Sequence, residues 1–204
     1  MPRPWQIRSR AQPKSAPHAE DADAELVRLA QATPRAFAAL YLRYRDPVLN
    51  YCYYRLGDRA EAEDATSTIF VKALDHLPSF SERGDSFRTW LFRIAHNEIA
   101  DRYRRQARHP EVPLLPEMGL RDAASLPEEA AITADRRRRI LHLLAHLPPR
   151  ERSVVELRAA ELSTREIAEV LQISEQSVRT AQCRAVSRLR GLLAGVASWE
   201  AIDA

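Results

Sequence analysis

Glycine is scarce in this chain, with five residues among 204. That excludes glycine-rich loops that cradle phosphates, and the lack of alternating β-branched runs leaves little room for a sheet. Cysteine occurs twice, at Cys52 and Cys183. The two are far apart in sequence, offer neither a disulfide framework nor a zinc spacing, and suit a reducing cytosol as buried, inert thiols. Long apolar runs are missing too: the opening Met1 to His18 is basic and contains proline, so it reads neither as a signal peptide nor as a membrane span. The default is a soluble cytoplasmic protein with no membrane insertion. Neither sign of charge dominates, since 31 basic residues face 28 acidic ones for a net +3, and what matters is where the charges sit.

Catalytic constellations are equally lacking. There is no nucleophile elbow and no carboxylate pair attached to a histidine helix motif. His142 and His146 are four apart, but no second ligand pair accompanies them, which favours a surface or satisfied pair over a metal site. The Glu and Asp residues read mostly as solvated faces of amphipathic helices. No enzyme, cofactor, metal or catalytic residue is expected.

What is present is helical period. At 45% hydrophobic the chain can bury one good core or two small ones. The spacing predicts an all-α fold of two small helical domains, an N-terminal helical bundle and a C-terminal helix-turn-helix bundle, joined by a proline-rich linker. A disordered basic tail covers residues 1–20, with Arg3, Arg8, Arg10 and Lys14 before any acid. The first domain covers 21–108. A short helix over Ala22 to Ala32 precedes Thr33-Pro34, an N-cap and a proline at the first helical position. These open a long helix through Phe37, Leu40, Tyr41, Tyr44, Val48, Leu49, Cys52 and Leu56, ended by Gly57. Asp58 with Glu61 spells a capping box for a third helix, which faces inward through Ala62, Ala65, Ile69, Phe70, Ala73 and Leu74. After the loop from Ser79 to Gly84, a fourth helix turns Phe87, Trp90, Leu91, Ile94, Ala95 and Ile99 inward and runs to about Ala107. Residues 109–132 form the linker, where Pro110, Pro113, Pro116 and Pro127 break any helix. From Gln106 to Asp135 six acids face two arginines. The second domain covers 133–195 and a C-terminal tail covers 196–204.

The stretch from Ser163 to Arg190 is the most informative. Ser163 and Glu166 form a capping box, and Ile167, Ala168 and Leu171 share one face. Gln172-Ile173-Ser174 turns the chain, and Ser174 caps a helix striped by Val178, Ala185, Val186, Leu189 and Leu192. The opposite face carries Gln176, Ser177, Arg179, Thr180, Cys183, Arg184 and Arg188. Such a face fits a major groove, with N-terminal residues against base edges and arginines on phosphates. An ordinary helical hairpin with a solvated arginine face is the blander reading of the same pattern.

The segment from Leu147 to Arg158, followed by Ser163 to Arg190, resembles the C-terminal DNA-binding domain of bacterial sigma factors. Glu63 to Leu74 resembles the core-binding helix of their other main domain, and Phe87 to Asn97, continued by Asp101 and Arg102, resembles the promoter-melting segment that follows it. Two domains on a short linker mark the extracytoplasmic-function class. The resemblance implies a promoter-specificity subunit that binds core RNA polymerase at the largest-subunit clamp helices and the flap. It implies polymerase contacts at Asp64, Ser67, Thr68, Val71 and Lys72, with Ile69, Phe70 and Leu74 as core. For the melted −10 strand it implies Phe80, Ser81, Arg83, Arg88, Arg93, Asn97, Arg102, Arg104 and Arg105, with Trp90 read as core. For the −35 element it implies Arg165, Glu175, Gln176, Ser177, Arg179, Thr180, Cys183, Arg184 and Arg188. An anti-sigma factor is a further expected partner. The acidic linker reads either as an imitation of nucleic acid near the RNA path or as a solvated tether.

Four positions depart from the family pattern. Ser67 and Thr68 replace glutamine and glutamate. Gln172 stands where the turn usually has glycine, so it must accept a left-handed conformation or reshape the turn. Ala181 replaces a common arginine, which predicts one lost phosphate contact. The competing classes are a stand-alone helix-turn-helix regulator binding duplex DNA and a helical adaptor with no nucleic-acid role.

Overall fold

The computed structural model describes residues 17–81, 86–108 and 138–200, with side chains described within 23–194. Among the described residues every regular element is a helix. The first half holds α1 (Pro17–Ala32), α2 (Phe37–Leu56), α3 (Arg59–His76) and α4 (Phe87–Arg108). The second holds α5 (138–145), α6 (Pro149–Ala159), α7 (Thr164–Leu171) and α8 (Glu175–Glu200). The expected linker, 109–132, lies outside the described residues. Two expected tails are shorter than read: α1 already begins at Pro17 and α8 continues through Glu200.

Helix ends follow local chemistry. Thr33 is extended at φ −142° and ψ 110° but its side chain makes no cap bond, contrary to the sequence reading. A 3-10 turn, Pro34–Ala36, leads from Thr33 into α2. Pro47 sits inside α2, where it removes one helical hydrogen bond at a cost of about 3 kcal/mol. The helix persists because Leu40, Tyr44, Val48, Tyr51 and Cys52 are all buried along it, each buried large side chain contributing roughly 1.5–3 kcal/mol. Gly57 ends α2 in the left-handed region, at φ 79°, and its N–H bonds Tyr53 O at 2.9 Å. Asp58 then accepts from Glu61 N at 2.8 Å and caps α3; this cap is one-sided where the sequence predicts a reciprocal box.

Helices α1 to α4 pack around Leu40, Val48, Ile69, Leu91, Phe92 and Ile99. Aromatic edges close the gaps between them: Tyr51 meets Phe92 with ring centroids 5.7 Å apart, and Phe37 meets Phe70 at 6.3 Å. Leu74, predicted inward, is exposed, while Phe92, not predicted, is buried. Phe92 follows Leu91 and widens the apolar stripe of α4, as a helix wedged among neighbours requires.

The two halves are packed together. Helix α4 lies against α7 and α2 against α6, so one apolar cluster continues from the first half into Val154, Leu157, Leu162, Ile167, Val170 and Val178. Polar ties frame this seam. Arg55 Nη1 donates to Ser153 Oγ and Glu156 Oε2, both at 2.9 Å, and Arg152 Nη2 donates to Tyr54 O at 2.9 Å.

A methyl group on Gly57 would meet nothing within 4 Å, so its cost is conformational. Gly57→Ala is expected to lower stability by about 1–2 kcal/mol, read as a shifted urea midpoint at unchanged slope.

Candidate nucleic-acid interface

The helix-turn-helix is held by its caps. Ser163 Oγ accepts from Glu166 N at 3.2 Å while Glu166 Oε2 accepts from Ser163 N at 2.6 Å, the predicted reciprocal box. Helix α7 lasts eight residues and stops at Gln172, which adopts φ 54° and ψ 47°. The turn therefore keeps its left-handed shape without glycine. Gln172 N and Ile173 N both donate to Ala168 O, and the Gln172 side chain donates to Glu169 O at 2.8 Å. Ser174 Oγ then accepts from Ser177 N at 3.2 Å and starts α8.

Buried Val178, Ala181 and Ala185 press α8 onto the core. The outward face presents Gln176, Arg179, Thr180, Cys183, Arg184 and Arg188 as exposed side chains, with Glu175 and Ser177 half-buried. The predicted DNA-facing residues from Glu175 to Arg188 thus share one side of α8, while Arg165, predicted with them, lies on α7. Ala181, at 6% exposure, is not on that side: it faces the core, so the expected loss of a phosphate contact there is corrected to a packing position. Val186, predicted in the apolar stripe, is exposed. Two cations of this face are already paired, Arg179 with Glu175 at 2.6 Å and Arg188 with Glu151 at 3.1 Å, and on α7 Arg165 is paired with Glu169 at 2.8 Å. Arg184 is exposed and, among the described residues, unpaired.

In the first half the predicted strand contacts divide. Phe80 is not a loop-surface residue: it is buried, its ring 4.8 Å from that of Trp90 and 5.9 Å from that of Phe87. Ser81 and Asn97 are exposed, Arg93 is half-buried, and Arg83 lies outside the described residues. Arg88 Nη2 donates to Ala160 O, at the end of α6, at 2.6 Å. Arg102, Arg104 and Arg105 share the C-terminal turns of α4 and are all paired with acids of the same half: Arg102 with Glu98 and Asp64, each at 2.8 Å, Arg105 with Glu98 at 3.3 Å, and Arg104 with Asp101.

The predicted polymerase contacts share one face of α3. Asp64, Ser67 and Val71 are exposed, and Thr68 and Lys72 are half-buried. Val71, at 59% exposure, adjoins exposed Leu74 and Tyr41, the latter stacked edgewise on Phe70 with centroids 4.8 Å apart. These are exposed apolar side chains that the sequence reading, which placed Leu74 in the core, did not find.

Three buried acids were missed outright. Glu98, Glu151 and Glu156 are buried, not solvated. Glu98 and Glu156 each have an arginine four residues away on the same helix and a cation from another helix: Arg102 and Lys72 for Glu98, Arg152 and Arg55 for Glu156.

The family model for Sigma-70 region 2 matches residues 40–109, and that for Sigma-70, region 4, matches residues 137–189. Over 153 residues the chain is 39% identical to the ECF RNA polymerase sigma factor ShbA of Streptomyces griseus, covering 71% of this chain and 80% of ShbA. The chain belongs to the ECF RNA polymerase sigma factors. This sigma factor is also 36% identical over 171 residues to BldN of Streptomyces coelicolor, covering 83% of itself but 65% of that longer relative. Among solved structures, CnrH in complex with the cytosolic domain of CnrY is similar to it with a TM-score of 0.67 at 26% identity, over 86% of this chain and 99% of CnrH. Among the described residues of this sigma factor, no helix is long and apolar enough to cross a membrane.

Uncharged titratable groups lie behind these surfaces. Burial, helped by the Arg55 guanidinium, lowers His96 to about 4, and burial also raises the Tyr51 hydroxyl above its ordinary value. The imidazole is therefore neutral, and Tyr51 Oη and His96 Nδ1 share a hydrogen bond of 3.1 Å. Burial likewise raises the Cys52 thiol to about 11, so it is the inert thiol the sequence reading expects; Cys183 is exposed.

Two outcomes follow for this sigma factor. The unfolded chain binds a proton at His96 near pH 6.5 and the folded chain only near 4, so this residue removes stability as pH falls through that window, at up to about 1.4 kcal/mol per pH unit. His96→Gln is expected to flatten that part of a pH series of thermal melts. Gln172→Gly is expected to raise stability by about 0.5–1 kcal/mol in urea titration, since glycine accepts the left-handed turn at no steric cost.

Proposed function

We propose that this sigma factor directs promoter-specific initiation by holding DNA at two places while docked on core RNA polymerase. The observation that carries the reading is the rigidly capped α8, whose outward face gathers Gln176, Arg179, Thr180 and Arg184 in the geometry of a major-groove reader. Arg179 and Arg184 contact the −35 duplex, with Arg165, Glu175, Ser177, Cys183 and Arg188 around them. The −10 element is held as a melted strand along α4 by Arg88, Arg93, Asn97, Arg102, Arg104 and Arg105, and by Ser81 and Arg83 before it. Phe80 supports this surface from beneath. The face of α3 from Asp64 to Lys72 docks on the clamp helices of the largest subunit, with the Val71, Leu74 and Tyr41 patch supplying apolar area, and the second half docks on the flap. The protein works in the cytoplasm as a specificity subunit and performs no catalysis itself.

An anti-sigma factor is a further partner, a reading supported by the likeness to CnrH, whose structure is of a complex with the cytosolic domain of CnrY. The organisation into domains at 21–108 and 133–195, separated by a linker at 109–132, fits two separately mobile grips. Promoter binding requires the halves to part. Helix α7 rests on α4, whereas two DNA elements separated by a duplex spacer lie 3.4 Å further apart for each base pair between them.

The test is reconstitution of the purified chain with core polymerase, followed by run-off transcription on genomic DNA. Co-purification and defined start sites are expected. Failure of both overturns the reading, and tight duplex binding without polymerase replaces it with a stand-alone regulator. Arg184→Ala, and likewise Arg179→Ala, is expected to lower initiation at promoters with a −35 element about tenfold, the effect of roughly 1.4 kcal/mol. Polymerase affinity stays unchanged, and equal loss of both overturns the division of labour.

A further inference from the structure

We infer that Glu98 is a positioning residue for strand capture: one buried carboxylate, pinned by Lys72 of the docking helix, holds Arg102 and Arg105 in a fixed array and sets the net charge which those two arginines show to a phosphate backbone. The inference rests on the assignment of α4 to the melted strand.

Glu98 has 1% exposure and occupies the position seven residues after Leu91 and three after Ala95, where the apolar stripe of α4 calls for a hydrophobic side chain. A carboxylate there has to be met by donors. Lys72 Nζ from α3 lies 2.6 Å from Oε2, and Arg102 Nε and Arg105 Nη2 lie 2.8 Å and 3.3 Å from Oε1. Arg102 uses the rest of its fork on Asp64 Oδ2 at 2.8 Å and Thr68 Oγ1 at 3.3 Å. Two helices with different tasks, α3 and α4, are thus pinned through a single side chain. Burial alone would raise the Glu98 carboxyl, but its bonds to Lys72 and Arg102 outweigh that and hold it below its ordinary value of 4.5, so it stays charged at neutral pH.

The geometry has a cost that strand capture exposes. Each cation held by Glu98 is pre-oriented, yet part of its field is cancelled before any phosphate arrives. Removing the charge while keeping the shape, as in Glu98→Gln, frees one net positive charge and loosens three side chains. Affinity for any strand then becomes more dependent on salt, while productive placement of the promoter strand becomes worse. A residue that only filled the core would change neither the salt slope nor its sign.

The experiment uses the full chain reconstituted with core polymerase and a fluorescein-labelled oligodeoxythymidine, with anisotropy measured across a salt series. Glu98→Gln is expected to steepen the slope of log affinity against log salt by about 0.7, one added phosphate contact on a single strand, and to lower run-off initiation. Glu98→Asp, which keeps the charge, is expected to retain the parental slope. A double variant, Arg102→Ala with Arg105→Ala, is expected to flatten the slope by about 1.4. An unchanged slope in Glu98→Gln with a flattened slope in the double variant overturns the role of Glu98 alone. An unchanged slope in the double variant overturns the assignment of α4 itself. Should Glu98→Gln fail to fold, the parental chain decides: slow solvent exchange of the Arg102 Nε proton by NMR supports the pin, and fast exchange overturns it.

Discussion

A carboxylate removed from water stays charged only where cations replace the water, and this sigma factor meets that condition twice with the same device. Glu98 and Glu156 each lie fully inside, each facing an arginine on its own helix and a second cation from another. The outcomes differ. At Glu98 the donors prevail and the carboxyl sits below its ordinary value; at Glu156 burial prevails over Arg55 and Arg152 and the carboxyl sits above it. At each tie the outcome is set by burial against the cations that meet it, and neither carboxylate could be left inside without them.

That balance explains why so many cations of a DNA-binding protein are engaged within the molecule. Arg88 is spent on a backbone carbonyl, Arg102 and Arg105 on Glu98, and Arg179 and Arg188 on acids beside the recognition helix. Pairs on the surface, such as Arg179 with Glu175, are worth little and are readily exchanged for phosphate. Pairs with a buried acid are not. The two classes separate cations that can turn toward DNA freely from cations whose reorientation disturbs the fold.

Much of this was legible in the residues. The 3.6-residue period, Gly57, the Ser163 and Glu166 box and the left-handed demand on Gln172 are local signals, and each describes the chain within a turn of itself. The outward face of α8 was legible for the same reason, because every residue on it is set by the Val178 and Ala185 stripe. What could not be read were facts about distance. Arg55 and Glu156 are 101 residues apart in sequence, and nothing near either one announces the other. Ala181 was misread because a likeness to other recognition helices was followed in place of its own spacing, three residues after Val178 and four before Ala185. Glu98 was misread although the warning was local: a glutamate within an apolar stripe, with an arginine one turn on, belongs inside with a partner.

The Arg88 bond to the Ala160 carbonyl carries one more consequence. Parting α6 from α4 frees the Arg88 Nη2 donor for another acceptor. Under the proposed function, a strand on α4 and a polymerase that holds the halves apart would both draw on that release, and by reciprocity each would raise the affinity for the other by the same factor. Cooperation between the two ligands then needs no contact between them.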